Sequence, residues 1–177
     1  GQDEPELEDT HRQILAPHTA YQMPSIMEDV VQRGTGTRVK AVGKPIAGKT
    51  GTTNEEKDAW FVGYSPDLVV GVYVGFDQPK PMGKGETGGS VASPIFRDFM
   101  KMALADKPAV PFRRPPGIKL IRVDRTTGTR ASGGDTILEA FKPENEPPDS
   151  SSQFITTGDP DLWLTPNGVG SGTGGLY

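Results

Sequence analysis

The chain contains no cysteine. That excludes a disulfide framework, a thiol nucleophile and a thiolate metal site, though it leaves the compartment open. Apolar residues are also scarce, at 33% of 177 residues, and no run is long and apolar enough to span a bilayer. Basic residues form no stripe and the net charge is −4, so nucleic acid is not expected as a partner. The two histidines, His11 and His18, have no carboxylate or histidine partner at ligand spacing, so neither a metal site nor a cofactor is expected. No internal repeat is present. The sequence starts at Gly1 without an initiator methionine or signal peptide, so it reads as a piece of a longer protein, and the lack of an anchor excludes little.

Glycine (23 residues) and proline (17) are abundant, but unevenly placed. Residues 1–15 are acidic and aperiodic and are expected to be irregular. Most of the apolar pattern falls in 16–105. Residues 106–142 read as a proline-rich linker followed by a small β segment. From Pro143 onward the composition turns to Pro, Glu, Ser and Gly, which cannot bury enough apolar surface to offset ordering entropy, so 143–177 is expected to be a disordered tail.

Within 16–105, Tyr21, Ile26, Met27, Val30 and Val31 recur at helical spacing between Pro17 and Arg33. Pro24 means that the helix either starts there or is longer and kinked, and Gly34 is a stop signal. Three strand signals follow: Ile46 to Thr53, Ala59 to Tyr64, and Leu68 to Phe76. Ser65-Pro66-Asp67 reads as the hairpin turn between the last two. Gly63, Gly71 and Gly75 suggest close approach of backbone or helix. A polar, glycine-rich loop runs from Gln78 to Ser90. Ser93-Pro94 then reads as the N-cap and first position of a helix with Phe96, Phe99, Met100 and Ala103 on one face. Ile118 to Val123 alternates like a strand, turned by Thr126-Thr127-Gly128. The fold class implied is α/β in the mixed sense, an antiparallel sheet flanked by helices.

The stretch Gly43 to Thr53 carries the chemistry, and it reads two ways. Gly43-Lys44-Pro45-Ile46-Ala47-Gly48-Lys49-Thr50 satisfies the phosphate-cradle pattern G-x-x-x-x-G-K-[ST]. A phosphate cradle needs a buried strand before it and a helix opening at its end. Here Pro45 lies in the loop, Gly51-Thr52-Thr53 is a poor first helical turn, and the hairpin downstream implies antiparallel strands rather than helical crossovers. Lys49-Thr50-Gly51-Thr52 is also the third motif of serine acyl-transferases. On a strand, the Thr50 and Thr52 hydroxyls fall on one face and together can grip a carboxylate, with Lys49 supplying positive potential. Gly51 leaves room for substrate beside the backbone, and the Thr52 N–H can serve an oxyanion hole.

Flanking residues sharpen the second reading. Gly48-Lys49-Thr50-Gly51-Thr52-Thr53-Asn54, Asp58-Ala59-Trp60-Phe61-Val62-Gly63-Tyr64-Ser65-Pro66-Asp67, Gly71-Val72-Tyr73-Val74-Gly75-Phe76-Asp77 and Ala92-Ser93-Pro94-Ile95-Phe96-Arg97-Asp98-Phe99-Met100 together resemble the C-terminal part of the transpeptidase domain of class A, bifunctional penicillin-binding proteins of the 1A type. Ala20 to Met23 and Val31 to Gly36 extend the resemblance upstream. Arg122-Val123-Asp124, Thr127-Gly128 and Leu138 to Phe141 extend it more weakly, so that it covers roughly Ala16 to Pro147. The resemblance implies a serine β-lactamase/transpeptidase-like fold, incomplete here. It implies a D,D-transpeptidase acting on the D-Ala-D-Ala end of a peptidoglycan stem peptide, inhibited by β-lactams. It also implies a parent protein with a glycosyltransferase domain and a location at the periplasmic face of the bacterial inner membrane.

The family's other two motifs, S-x-x-K and S-x-N, are absent: Ser25 leads to Glu28 and Ser93 to Phe96. No catalytic residue is therefore assigned in this chain. Lys49, Thr50, Gly51 and Thr52 are expected to bind substrate, and the missing N-terminal part of the same protein is the expected partner. Without the nucleophile no acyl-enzyme can form, so the chain alone is expected to be inactive. Asp58 either orients Lys49 or caps a turn, with the turn preferred, and Arg33 and Arg38 are expected to be solvated. Two other classes stay open: a noncatalytic peptidoglycan-binding module, and a nucleotide-binding domain.

Overall fold

The computed structural model describes residues 12–149. Residues 1–11, with His11, and 150–177, which hold most of the expected tail, lie outside them. The described residues divide into two compact units, one of residues 12–121 and 138–146, the other of 122–137 and 147–149.

The first unit opens with α1 (Pro17–Arg33). It is one helix with Pro17 in its first turn and Pro24 inside, so the longer of the two expected helices forms. The helix stops at Gly34, where a side chain would lie 2.9 Å from the Val30 Cα. A 3-10 turn (Thr37–Val42) leads to Gly43, whose φ of 75° glycine adopts without strain. Strands β1 (Ala47–Thr52), β2 (Asp58–Tyr64) and β3 (Val69–Gly75) form an antiparallel sheet in the order β1-β2-β3. Lys49 stands opposite Val62, Thr50 opposite Phe61, Gly51 opposite Trp60 and Thr52 opposite Ala59. The expected hairpin closes with Ser65 N–H donating to the Leu68 carbonyl (2.9 Å) and Leu68 N–H to the Ser65 hydroxyl (3.2 Å).

This geometry disposes of the phosphate cradle. Thr50 continues a strand instead of opening a helix, and the segment before Gly43 is a 3-10 turn. The Lys44 ammonium meanwhile donates to the Leu104 and Lys107 carbonyls, at the C-terminal end of the second helix.

That second helix, α2 (Ser93–Ala103), covers one face of the sheet. Period-2 alternation puts Ala59, Phe61 and Gly63 on that face. The Phe61 ring is wholly buried and meets Phe96 at 4.7 Å between centroids. Val31, Val39, Ile46, Met100 and Leu104 complete the core. Glycines are dictated by this ring: a Cβ at Gly48 or Gly63 would stand 2.7 Å from Phe61 atoms. Trp60, Val62 and Tyr73 point to the other face, 43–49% exposed, with Trp60 and Tyr73 tilted against each other at 4.7 Å.

Ser93 does not cap α2 as expected. A five-residue π-helical turn, Gly88–Ala92, runs directly into the helix, so the backbone at Ser93 is already helical. The cap sits upstream instead. The Thr87 hydroxyl accepts from Ser90 N–H at 3.3 Å, and Ser90 Oγ accepts from Thr87 N–H at 2.6 Å. The Ser93 hydroxyl donates back to the Gly88 carbonyl (3.0 Å).

After the proline-rich segment come β4 (Lys119–Asp124) and β5 (Thr136–Phe141), which pair as a two-stranded sheet and contribute residues to both units. In the first unit, α1 holds this region through His18 Nε2, 2.7 Å from the Pro116 carbonyl, and through Gln22, which donates to the Ala140 carbonyl at 3.1 Å. Glu139 lies against Asp29, itself ion-paired with Arg33. In the second unit the Asp124 carboxylate accepts from Thr126 and Thr127 N–H and the Thr127 hydroxyl, which holds it below the usual carboxylate range. Residues 143–149, expected to belong to a disordered tail, are structured. Pro143–Asn145 form a 3-10 turn and Glu146 pairs with Lys119. Within the second unit, Arg130 bridges Asp149. Arg130 N–H also donates to the Pro148 carbonyl (3.0 Å), and its guanidinium lies 3.4 Å from the Asp149 carboxylate.

Candidate functional site

All four residues picked out from the sequence lie on β1, an edge strand among the described residues. The pleat separates them. Thr50 and Thr52 lie on the face shared with Phe61 and Ala59, whereas Lys49 and Gly51 lie on the face of Val62 and Trp60. Thr53 N–H donates to the Asp58 carbonyl (3.0 Å), which fixes the phase of the ladder. Alternation along an antiparallel pair then makes Gly51/Trp60 and Lys49/Val62 the hydrogen-bonded pairs. The N–H and C=O of Thr50 and Thr52 turn outward, to the edge that no strand covers among the described residues.

Each side chain is positioned by a different neighbour. The Lys49 side chain is exposed and its ammonium donates to the outward Thr50 carbonyl (3.1 Å). The Thr50 hydroxyl lies 2.7 Å from that of Thr35, in the loop between α1 and the 3-10 turn. The Thr52 hydroxyl accepts from Gly88 N–H (3.1 Å), at the start of the π-helical turn. Gly51 has a reason beyond leaving room for a ligand: a Cβ there would be 3.2 Å from the Trp60 Cβ. Gly88 packs tighter still, since a Cβ would meet the Trp60 carbonyl oxygen at 2.2 Å and that of Gly51 at 2.6 Å.

Asp58 serves the turn. Its N–H donates to the Thr53 hydroxyl (2.9 Å), and its carboxylate accepts from Tyr73 OH (2.7 Å). That bond, ahead of burial and charge, raises the Tyr73 hydroxyl above its ordinary pKa. Arg33 is engaged by Asp29, and Arg38 donates to the Ser90 carbonyl at 3.0 Å. Among the described residues no cluster of His, Asp and Glu could hold a metal, and no helix is long and apolar enough to cross a membrane. A cavity of about 370 Å³ lies at the opposite end of β1, beside Lys44, Ser65, Asp67 and Leu104, away from Lys49–Thr52. Thr35 and Gly88 are the site residues that sequence reasoning missed. In the sequence Thr35 follows directly on the helix stop at Gly34, and Gly88 falls within the polar, glycine-rich loop from Gln78 to Ser90, so neither carries a mark of its own.

An edge strand bearing Lys-Thr-Gly-Thr, with two hydroxyls on one face and an outward N–H, is what acyl-transfer chemistry asks of a substrate-binding wall. The family model of the penicillin binding protein transpeptidase domain matches residues 4–101. The chain belongs to that family. Among its relatives, penicillin-binding protein 1A of Rickettsia conorii is 54% identical over 125 residues, which are 71% of this chain and 16% of the relative. Penicillin-binding protein 1A of Pseudomonas aeruginosa is 49% identical over 138 residues, 76% of this chain and 17% of the relative. The crystal structure of penicillin-binding protein 1A from Haemophilus influenzae superimposes with a TM-score of 0.66 at 34% identity, covering 76% of this chain and 21% of that one. The mixed α/β fold with an antiparallel sheet, expected from the sequence, is thus that of a penicillin-binding transpeptidase. The chain spans about a sixth of the length of the curated relatives it matches.

Proposed function

We propose that this chain supplies the substrate-binding strand of a serine D,D-transpeptidase that cross-links peptidoglycan stem peptides. Thr50 and Thr52 hydroxyls hold the terminal carboxylate of a D-Ala-D-Ala end or of a β-lactam. Lys49 provides the positive potential that favours an anion there. The outward Thr52 N–H contributes one donor to the oxyanion hole, where one such donor is worth on the order of a hundredfold to a thousandfold in rate. The observation that carries the reading is the register of β1. It places two hydroxyls on one face and turns the Thr52 amide away from β2, toward the outer edge of the strand.

The serine nucleophile and its base come from S-x-x-K and S-x-N motifs outside this sequence, so the chain alone forms no acyl-enzyme. The assembled enzyme works at the periplasmic face of the inner membrane, where stem peptides are cross-linked. Labelling with a fluorescent penicillin tests this. The product of the complete reading frame containing this chain is expected to be labelled covalently, and the 177-residue chain by itself is not. An unlabelled full product would overturn the transpeptidase reading, and a labelled isolated chain would overturn the assignment of the nucleophile elsewhere.

A further inference from the structure

Thr35 is placed with unusual care for a loop residue. Gly34 N–H donates to the Val30 carbonyl (3.1 Å) and Gly36 N–H to the same oxygen (3.0 Å), so both neighbours are tied to the last turn of α1. Gly36 is pressed against the core, where a Cβ would lie 3.1 Å from the Phe61 ring. Gly89, in the π-helical turn, approaches so closely that a Cβ there would be 2.8 Å from the Thr35 carbonyl. The backbone of Thr35 is therefore clamped between α1, the core and the turn. Its side chain is branched at Cβ and so has few rotamers to choose from. Although the residue is exposed, its hydroxyl meets that of Thr50 at 2.7 Å, a full hydrogen bond between two groups with one proton each.

We infer that Thr35 is a positioning residue for the carboxylate of the substrate or β-lactam, acting through the Thr50 hydroxyl. The proton count requires it. A carboxylate only accepts, so Thr50 must donate its single proton to it. The Thr35–Thr50 bond then has one remaining direction, with the Thr35 hydroxyl donating to Thr50 Oγ1. That bond holds the Thr50 rotor toward the ligand and polarises its O–H, because hydrogen bonds in a chain strengthen one another. This inference rests on the reading of Thr50 as a carboxylate donor.

The test uses the product of the complete reading frame and a fluorescent penicillin. Labelling rates over a range of concentrations separate the apparent dissociation constant from the first-order acylation constant. Thr35→Val removes the hydroxyl at nearly constant shape and is expected to raise the dissociation constant about tenfold, leaving acylation within about twofold. Thr35→Ser restores both values. Thr35→Ala repeats the deletion should valine disturb folding. Thr50→Val is expected to lose at least as much as Thr35→Val, and adding Thr35→Val to it costs nothing more. Two results overturn the role of Thr35 while leaving the carboxylate reading intact: Thr35→Val binding like the parent while Thr50→Val is impaired, or Thr35→Val and Thr35→Ser both failing in the acylation step. A Thr50→Val protein that binds like the parent removes the carboxylate reading and this inference together.

Discussion

Replacing Gly88 by alanine tests how the candidate site is built. The added Cβ would stand 2.2 Å from the Trp60 carbonyl oxygen, 2.6 Å from that of Gly51 and 3.1 Å from the Gly51 nitrogen. All three are backbone atoms of paired strands, so no side chain can swing away. Relief requires the turn and the sheet to part by roughly 1 Å, given ordinary van der Waals separations. Overpacking of this kind costs about 1–3 kcal/mol, and the Gly88 N–H bond to Thr52 Oγ1, worth about 1 kcal/mol, is lost as well. The expected loss is about 3 kcal/mol, or roughly 6–12 °C in melting temperature for a domain of this size. Differential scanning calorimetry on the complete reading-frame product reads it, and penicillin labelling should fall with it because Thr52 loses its anchor. Gly85→Ala is the control. Gly85 has a φ of 84° and nothing within 4 Å of a Cβ, so only conformational strain of about 1–2 kcal/mol is expected. If Gly88→Ala costs no more than Gly85→Ala, the turn does not pack on the sheet as described.

Further outcomes follow from the core and from two acidic residues. Phe61→Ala empties the position at the centre of the sheet's buried face and is expected to cost about 3–5 kcal/mol in urea denaturation. Glu139 is half-buried against Asp29. Burial first, then the bond to Asp29, pushes its carboxyl from the ordinary 4.5 up to about 7, against the pull of Arg33. The folded state then holds a proton that the unfolded state releases between about pH 4.5 and 7, so stability falls as pH rises through that window and levels above it. Glu139→Gln should flatten this slope and stabilise the protein above pH 7 by about 1 kcal/mol, after discounting for solvent screening. Melting temperatures of both proteins from pH 4 to 8 decide the matter, and parallel curves would contradict it. Spectrophotometric titration should show the raised Tyr73 hydroxyl returning toward its ordinary value in Asp58→Asn, since the carboxylate no longer accepts its proton.

Much of the scaffold was legible because local pattern and tertiary burial agree. The helical spacing of Val30 and Val31, the period-2 runs around Phe61 and Val72, and the Ser65-Pro66-Asp67 turn each encode one element, and those elements formed. The motif strand was legible for a different reason: Gly48 and Gly51 weaken a strand by propensity, but their gaps are filled by Phe61 and Trp60 across the core and the pair. The π-helical turn was not readable from Gly88-Gly89-Ser90. Glycine-rich sequence carries no periodicity, and what closes that turn is backbone contact with strands some 30 residues earlier. β5 has Glu139 among its apolar residues and too short a run to alternate clearly. Thr35 carries no local mark at all, because its role exists only once α1 and β1 are side by side.

One helix links the two ends of this arrangement. α1 is 17 residues long, about 25 Å at the usual rise. At its start His18 and Gln22 grip the carbonyls of Pro116 and Ala140, and at its end the chain delivers Thr35 to Thr50. The helix is thus a strut whose footing lies in the segment that follows the sheet in sequence. Pro116 and Ala140, though distant in sequence from Thr35, thereby share the helix that carries it.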